Sequence, residues 1–174
     1  MNATRYHVTI FNTMKPVKVL RMPSGEIALI DPENWAKVQE RGSWHINKTP
    51  SGKTYVRSSS NKGRPKVLLH VFLTGFQETD HINGNALDNR IDNLRSATRK
   101  QNMANQRMKR TNRSGYKGVS WNSDTGKWRA DISRGPAHYL GQFTDPVEAA
   151  KAYDIAALNL YGEFALTNER MGLL

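Results

Sequence analysis

Along the first half of the chain, apolar and polar positions alternate in short runs broken by turn residues. Glu26-Ile27-Ala28-Leu29-Ile30-Asp31 reads as a strand. A helix start follows, with Asp31 as N-cap and Pro32 at the first helical position, running to about Glu40. Trp44-His45-Ile46-Asn47 and Thr54-Tyr55-Val56-Arg57 predict two strands around Pro50-Ser51-Gly52, and residues 58–65 form a polar, basic loop. The apolar run 67–73 is too short for periodicity to decide between helix and strand. The second half is clearer. Strand-like runs cover 116–121, 127–133 and 139–143, with Asp124, Gly126, Gly135 and Pro136 in the turns. Alternation in 127–133 sends Trp128, Ala130 and Ile132 to one face and Lys127, Arg129, Asp131 and Ser133 to the other. Asp145 is then an N-cap, Pro146 opens a helix, Glu148 can close a capping box, and Gly162 ends the helix after Tyr161. Its many alanines let it lie close to a sheet. The pattern predicts an α+β chain whose last part is a small three-stranded sheet with one helix across it and one face open.

Charge changes the picture. The 174 residues carry 26 Lys and Arg against 15 Asp and Glu, a formal charge of +11, which points to a polyanion, nucleic acid first. Cysteine is absent, so disulfide frameworks, cysteine zinc sites and thiol nucleophiles are excluded. No apolar run is long enough to span a membrane, and the first residues do not resemble a secretory signal; an intracellular protein is expected. The charge is uneven. Arg95, Arg99, Lys100, Arg107, Lys109, Arg110, Arg113 and Lys117 fall in one stretch without an acid. Such a run repels itself unless an anion lies beside it, so it predicts either a solvated linker or a segment along phosphates. The domain boundary is expected at residues 107–114.

Candidate chemistry sits just before that stretch. Asp80-His81-Ile82-Asn83-Gly84-Asn85 is followed by Asp88-Asn89-Arg90, Asn93-Leu94-Arg95, and a helix that Thr98 can cap with Gln101 as its box partner. Asp80 and Asn102 offer hard oxygens of the kind that hold magnesium with water and phosphate. His81 has a ring that can take a proton near neutral pH. Neighbours on a strand point to opposite faces, so a local twist or turn has to bring Asp80 and His81 to one phosphate; Asn83-Gly84 is a turn signal. Asn93 can brace the loop through backbone groups.

The run from Leu69-His70 through Thr79-Asp80-His81-Ile82-Asn83-Gly84-Asn85 to Asn93-Leu94-Arg95 and Gln101-Asn102 closely resembles the HNH endonucleases of phages and mobile introns. The resemblance implies a ββα-metal (His-Me finger) nuclease site. Asp80 and Asn102 take the metal-ligand roles, His81 that of general base and Asn93 that of the central Asn shaping the loop. The family usually has Arg after the His matching His70, where this chain has Val71. Ser114-Gly115-Tyr116-Lys117-Gly118-Val119-Ser120-Trp121, Gly126-Lys127-Trp128-Arg129-Ala130-Asp131-Ile132, Tyr139-Leu140-Gly141-Gln142-Phe143 and Glu148-Ala149-Ala150-Lys151-Ala152-Tyr153-Asp154 resemble the apetala2-type DNA-binding domain, found in plant transcription factors and behind HNH domains in phage nucleases. That match puts Lys117, Asp131, Ser133 and Tyr139 at base- or phosphate-contacting positions, with Trp121 beside a turn longer than the plant pattern. Lys127 and Arg129 join them by alternation. Ser120, Ser133 and Ala137 stand where the plant domains have Arg, so the plant recognition code does not carry over.

Together these readings predict an N-terminal segment plus nuclease domain at 1–106 (core about 66–106), a basic linker at 107–114 and a DNA-binding domain at 115–174. The expected activity is hydrolysis of phosphodiesters in double-stranded DNA with one Mg²⁺ or Mn²⁺, as a site-specific nicking homing endonuclease. The expected partner set is duplex DNA without a membrane or small-molecule cofactor. A monomer is expected, in the cytoplasm of a phage-infected bacterium. Removal of the chain beyond about Arg113 should then blur site choice and leave weak cutting. A non-catalytic DNA-binding regulator and an RNA-binding or RNA-cleaving protein are the alternatives.

Overall fold

The computed structural model describes residues 15–50, 52–60, 63–108, 111–132 and 138–174. They form two compact units. The first gathers the described residues up to Gln77 with Asn85–Arg95, and the second joins Glu78–Gly84 to Ser96–Leu174.

In the first unit, β1 (Lys18–Arg21) and β2 (Ile27–Ile30) make an antiparallel hairpin, Lys18 opposite Ile30 and Arg21 opposite Ile27. A 3-10 turn at Pro32–Asn34 leads into α1 (Trp35–Arg41). Then β3 (Trp44–Lys48) and β4 (Thr54–Ser58) pair antiparallel. The undecided run 67–73 resolves as a helix, α2 (Leu69–Thr74), which ends where Gly75 turns left-handed at φ 74°. Ala28, Ile30, Val38, Trp44, Val56 and Leu69 form the core, and the Trp44 indole N–H donates to the Val38 carbonyl at 3.0 Å. His70 is buried in α2 with its ring 5.6 Å from that of Tyr55.

Asp31 differs from its expected capping role. Its side chain makes no cap hydrogen bond; its carboxylate instead accepts from the Ile91 N–H at 2.7 Å, sixty residues on. This bond is one of several that fasten the polar loop 85–93 to the front of the chain. The Leu29 N–H donates to the Leu87 carbonyl and the Asn89 N–H to the Leu29 carbonyl, both at 2.8 Å. Arg90 forks onto the buried Asp88 at 2.7 and 2.6 Å. A loop with so few apolar side chains is held by hydrogen bonds, and β2 supplies the backbone for them.

The second unit opens with β5 (Thr79–His81). Chain passage from the first unit runs through β6 (Leu94–Ser96), after which the Ala97 N–H donates to the Glu78 carbonyl at 3.2 Å. Next come α3 (Arg99–Ala104) and a three-stranded antiparallel sheet, β7 (Val119–Asn122), β8 (Lys127–Ile132) and β9 (His138–Phe143), in sequence order. Helix α4 (Pro146–Tyr161) crosses the sheet with the expected bounds, and Asp145 caps it by accepting from the Val147 N–H at 2.9 Å. Glu148 does not close a box there; its carboxylate accepts from Lys151 at 2.8 Å. Ala130 and Ile132 face the helix and pack with Ala149, Ala150, Tyr153 and Ala157. After α4 the tail turns back. The Asp154 carboxylate accepts from the backbone N–H groups of Asn168 and Glu169, and the fully buried Asn168 brackets Lys117 by bonding both its N–H and its carbonyl. No helix among the described residues is long and apolar enough to cross a membrane.

Candidate active site

Two short elements of the second unit build the polar centre. β5 carries Asp80 and His81, 5% and 6% exposed; burying consecutive strand residues requires cover on both faces. Asn83-Gly84 turns the chain directly afterwards. Gly84 adopts φ 71°, a left-handed conformation natural to glycine, and its N–H closes the turn onto the His81 carbonyl at 2.8 Å. Helix α3 is only six residues long, so its start matters. Thr98 and Gln101 form the expected capping box, Thr98 accepting from the Gln101 N–H and Gln101 accepting from the Thr98 N–H at 2.8 Å. Facing β5, α3 presents Asn102, whose amide donates to the Thr79 carbonyl at 3.4 Å. One residue past the helix, the buried Asn105 amide nitrogen lies 3.0 Å from each Asp80 carboxylate oxygen. Asn93 belongs to the first unit, where its amide donates to the Asp88 carbonyl at 2.8 Å and ties the loop across five residues.

The residues expected at nucleic acid divide into outward and inward groups. Arg99, Lys100, Arg107, Arg113 and Lys127 are exposed, and Arg95 is half-buried. On the sheet face away from α4, Arg129 forks onto Asp131 at 2.7 and 2.8 Å, and its guanidinium lies 5.2 Å from the ring centre of the exposed Tyr139. Asp131 is therefore the partner of a neighbouring cation. Trp121 is exposed, but its cross-strand partner is Trp128, with ring centres 5.0 Å apart, which sets it on the face that carries α4. Lys117 turns inward: its ammonium donates to the Ala104 carbonyl at 2.7 Å and the Leu166 carbonyl at 2.9 Å, 5.9 Å from the centre of the Tyr153 ring. Burial pushes its pKa down to about 8, opposed by the charge of Asp154. Lys109, Arg110 and Ser133 lie outside the described residues.

An HNH endonuclease family model matches residues 78–104, the stretch that holds Asp80, His81, Asn93 and Asn102. An uncharacterised HNH endonuclease of Acanthamoeba polyphaga mimivirus is 34% identical over 154 residues, covering 83% of this chain and 76% of that protein. The chain belongs to the HNH endonuclease family. Protein 3.8 of Escherichia phage T7 is 34% identical over 86 residues, 49% of this chain and 71% of that protein. The AP2-like ethylene-responsive transcription factor ANT of Arabidopsis thaliana is 36% identical over 85 residues, 45% of this chain but 15% of that protein. No solved structure matches this HNH endonuclease significantly. With both kinds of relative, it is a DNA endonuclease that pairs an HNH region with an AP2-like one.

HNH nucleases generally work with a divalent metal ion, and the donor chemistry of this HNH endonuclease suits a hard one. Among the described residues no three His, Cys, Asp or Glu side chains gather as a metal cluster. What β5 and α3 offer is a carboxylate from Asp80 and a carboxamide from Asn102, whose nitrogen is turned to Thr79. One or two protein oxygens completed by water and phosphate is how Mg²⁺ is held, whereas structural zinc wants four nitrogen or sulfur ligands. Sequence reasoning missed Asn105. It sits among Gln101, Asn102, Gln106 and Asn112 in a stretch read as a polar, basic connector, either solvated or lying along phosphates. Its spacing of three from Asn102, one helical turn on the same side, was the available signal.

Proposed function

We propose that the chain is a metal-dependent, site-specific nicking endonuclease of duplex DNA, built on a ββα-metal site at residues 66–106. The observation that carries this reading is the buried Asp80–His81 pair on β5, a strand that Asn102 of α3 holds at the Thr79 carbonyl and Asn105, just past α3, holds at the Asp80 carboxylate. Asp80 and Asn102 would hold one Mg²⁺ or Mn²⁺, which supplies charge stabilisation to the scissile phosphate and to the departing 3′ oxygen. His81 takes the proton of a water as that water's oxygen bonds to phosphorus, and the bond from phosphorus to the 3′ oxygen breaks. The 3′ oxygen then takes up a proton from solvent. Asn93 keeps the loop before α3 in shape through the Asp88 carbonyl. One site cuts one strand, so a monomer leaves a nick.

Duplex DNA would lie against the exposed cations Arg99, Lys100, Arg107 and Arg113 of the second unit, and Arg95, Lys109 and Arg110 belong to the same basic run in sequence. The open sheet face would read the groove with Lys127, Arg129 and Tyr139, to which the AP2 resemblance adds Ser133. In this reading 107–114 links the nuclease part to an AP2-type reader at 115–174. The test is relaxation of supercoiled plasmid carrying the target, with Mg²⁺ or Mn²⁺ against EDTA. The full chain should produce open circles only with metal, and His81→Ala should lower the rate by about 10²–10⁴-fold. Metal-independent relaxation, or an unimpaired His81→Ala, would overturn it.

A further inference from the structure

Asn105 holds more of the centre than Asn102 of α3 does. Its amide nitrogen lies 3.0 Å from both Asp80 carboxylate oxygens, 2.9 Å from the His81 carbonyl and 3.3 Å from the Ile82 carbonyl. Four oxygens around one nitrogen fix the amide's orientation, because turned over it would set its own oxygen against them. The residue is 8% exposed, and its backbone N–H closes the end of α3 onto the Gln101 carbonyl at 3.1 Å. Three residues earlier, Asn102 reaches the Thr79 carbonyl. β5 is thus gripped at two points by one side of α3.

The type of side chain is informative. A carboxamide donates two hydrogens and brings no charge. A lysine or arginine in its place would bring a positive charge that competes with a cation; an amide fixes the carboxylate's direction without adding a charge of its own. A hydrogen-bonded ligand side chain is already oriented when the ion arrives, so less ordering is required on binding.

We infer that Asn105 is a positioning residue of the nuclease centre: it orients the Asp80 carboxylate and the His81 backbone so that both present the same face to a divalent ion and its water. This rests on the proposed metal-nuclease reading. The experiment uses the full chain, Mn²⁺ as the probe, and three readouts. Mn²⁺ affinity is measured by the resonance of the free ion, nicking of supercoiled plasmid is titrated with Mn²⁺, and DNA affinity is measured in EDTA. In Asn105→Ala, Mn²⁺ affinity should fall by about 10- to 100-fold and the Mn²⁺ needed for half-maximal nicking should rise by the same factor. DNA affinity in EDTA should stay within about twofold of the parent. If the alanine variant does not fold, Asn105→Ser keeps a donor too short to span carboxylate and carbonyls and should show the same displaced titration. An unchanged titration in a folded variant overturns the assignment, and so does failure of both variants to fold, which would make Asn105 a residue of the fold. Asp80→Asn in parallel separates the two levels. If Asp80→Asn nicks like the parent, the metal-nuclease reading itself fails; if it is inert while Asn105→Ala titrates normally, only the role of Asn105 is lost.

Discussion

At Gly118 the backbone stands at φ 77° and the chain passes directly over the Tyr153 ring, so that a methyl group there would overlap the ring. Two physical terms add: the left-handed conformation, unfavourable for any residue with a Cβ, and a collision with an aromatic side chain buried in the core under β8. Gly118→Ala should cost roughly 2–4 kcal/mol, read from denaturant unfolding of the full chain; a loss under about 0.5 kcal/mol would show that Tyr153 moves aside freely. At this scale the sequence was only partly legible. Asp80, His81 and Asn102 stand out because an acid, an imidazole and an amide recur in a recognisable order; in the fold Asn102 reaches β5 at the Thr79 carbonyl. Asn105 did not stand out, since an amide in a basic stretch looks the same whether it is solvated or buried. Asp31 carries every mark of an N-cap, yet a long-range partner, the Ile91 N–H, competes successfully for its carboxylate.

Elements followed the same logic. α4 could be read to the residue because both ends are chemically marked, Asp145-Pro146 at one and Gly162 at the other. β8 was legible from its alternation, with Ala130 and Ile132 inward and Arg129 and Asp131 outward, even though a bulge shifts the register with β9 at Ala130/Asp131. α2 was not, because six apolar-rich residues give a helix and a buried strand the same pattern. The tail after α4 was not legible either, as its role depends on what it touches. There Lys117 joins two elements, the end of α3 through Ala104 and the tail through Leu166, inside a partly buried setting. The folded chain binds the Lys117 proton less tightly than the unfolded chain does, with a pKa of about 8 against an ordinary value of 10.5. Below pH 8 both forms carry the proton. Between about 8 and 10 the unfolded chain binds more protons, so stability should rise with pH by this contribution. Thermal melts of the parent against Lys117→Met should therefore show the parent gaining relative to the variant from pH 8 to pH 10. A relative loss over that window would contradict the burial of a lysine held in the charged state.

On the scale of the whole molecule, the β5–α3 centre and the AP2-like sheet share one compact unit. The Ala104 carbonyl accepts from Lys117 and, at 3.3 Å, from the Leu166 N–H, and Ala104 directly precedes Asn105. The C-terminal part therefore supports the helix end from which Asn105 reaches Asp80. A basic linker joining two self-sufficient halves would leave weak cutting after removal of residues beyond Arg113. The contacts at Ala104 favour a different outcome: such a truncation should lose metal-dependent nicking along with site choice, measured on plasmid at matched protein and salt concentrations. Persistence of nicking at more than about a tenth of the parent rate would argue that α3 holds its place unaided.

A manganese-soaked crystal of the full chain measures directly whether a cation is held between β5 and α3. Anomalous scattering should show one peak at metal–oxygen bonding distance from the Asp80 carboxylate and the Asn102 carboxamide, with the His81 ring beside it. A map with no peak there, and Asp80, His81 and Asn102 turned away from one another, would contradict it.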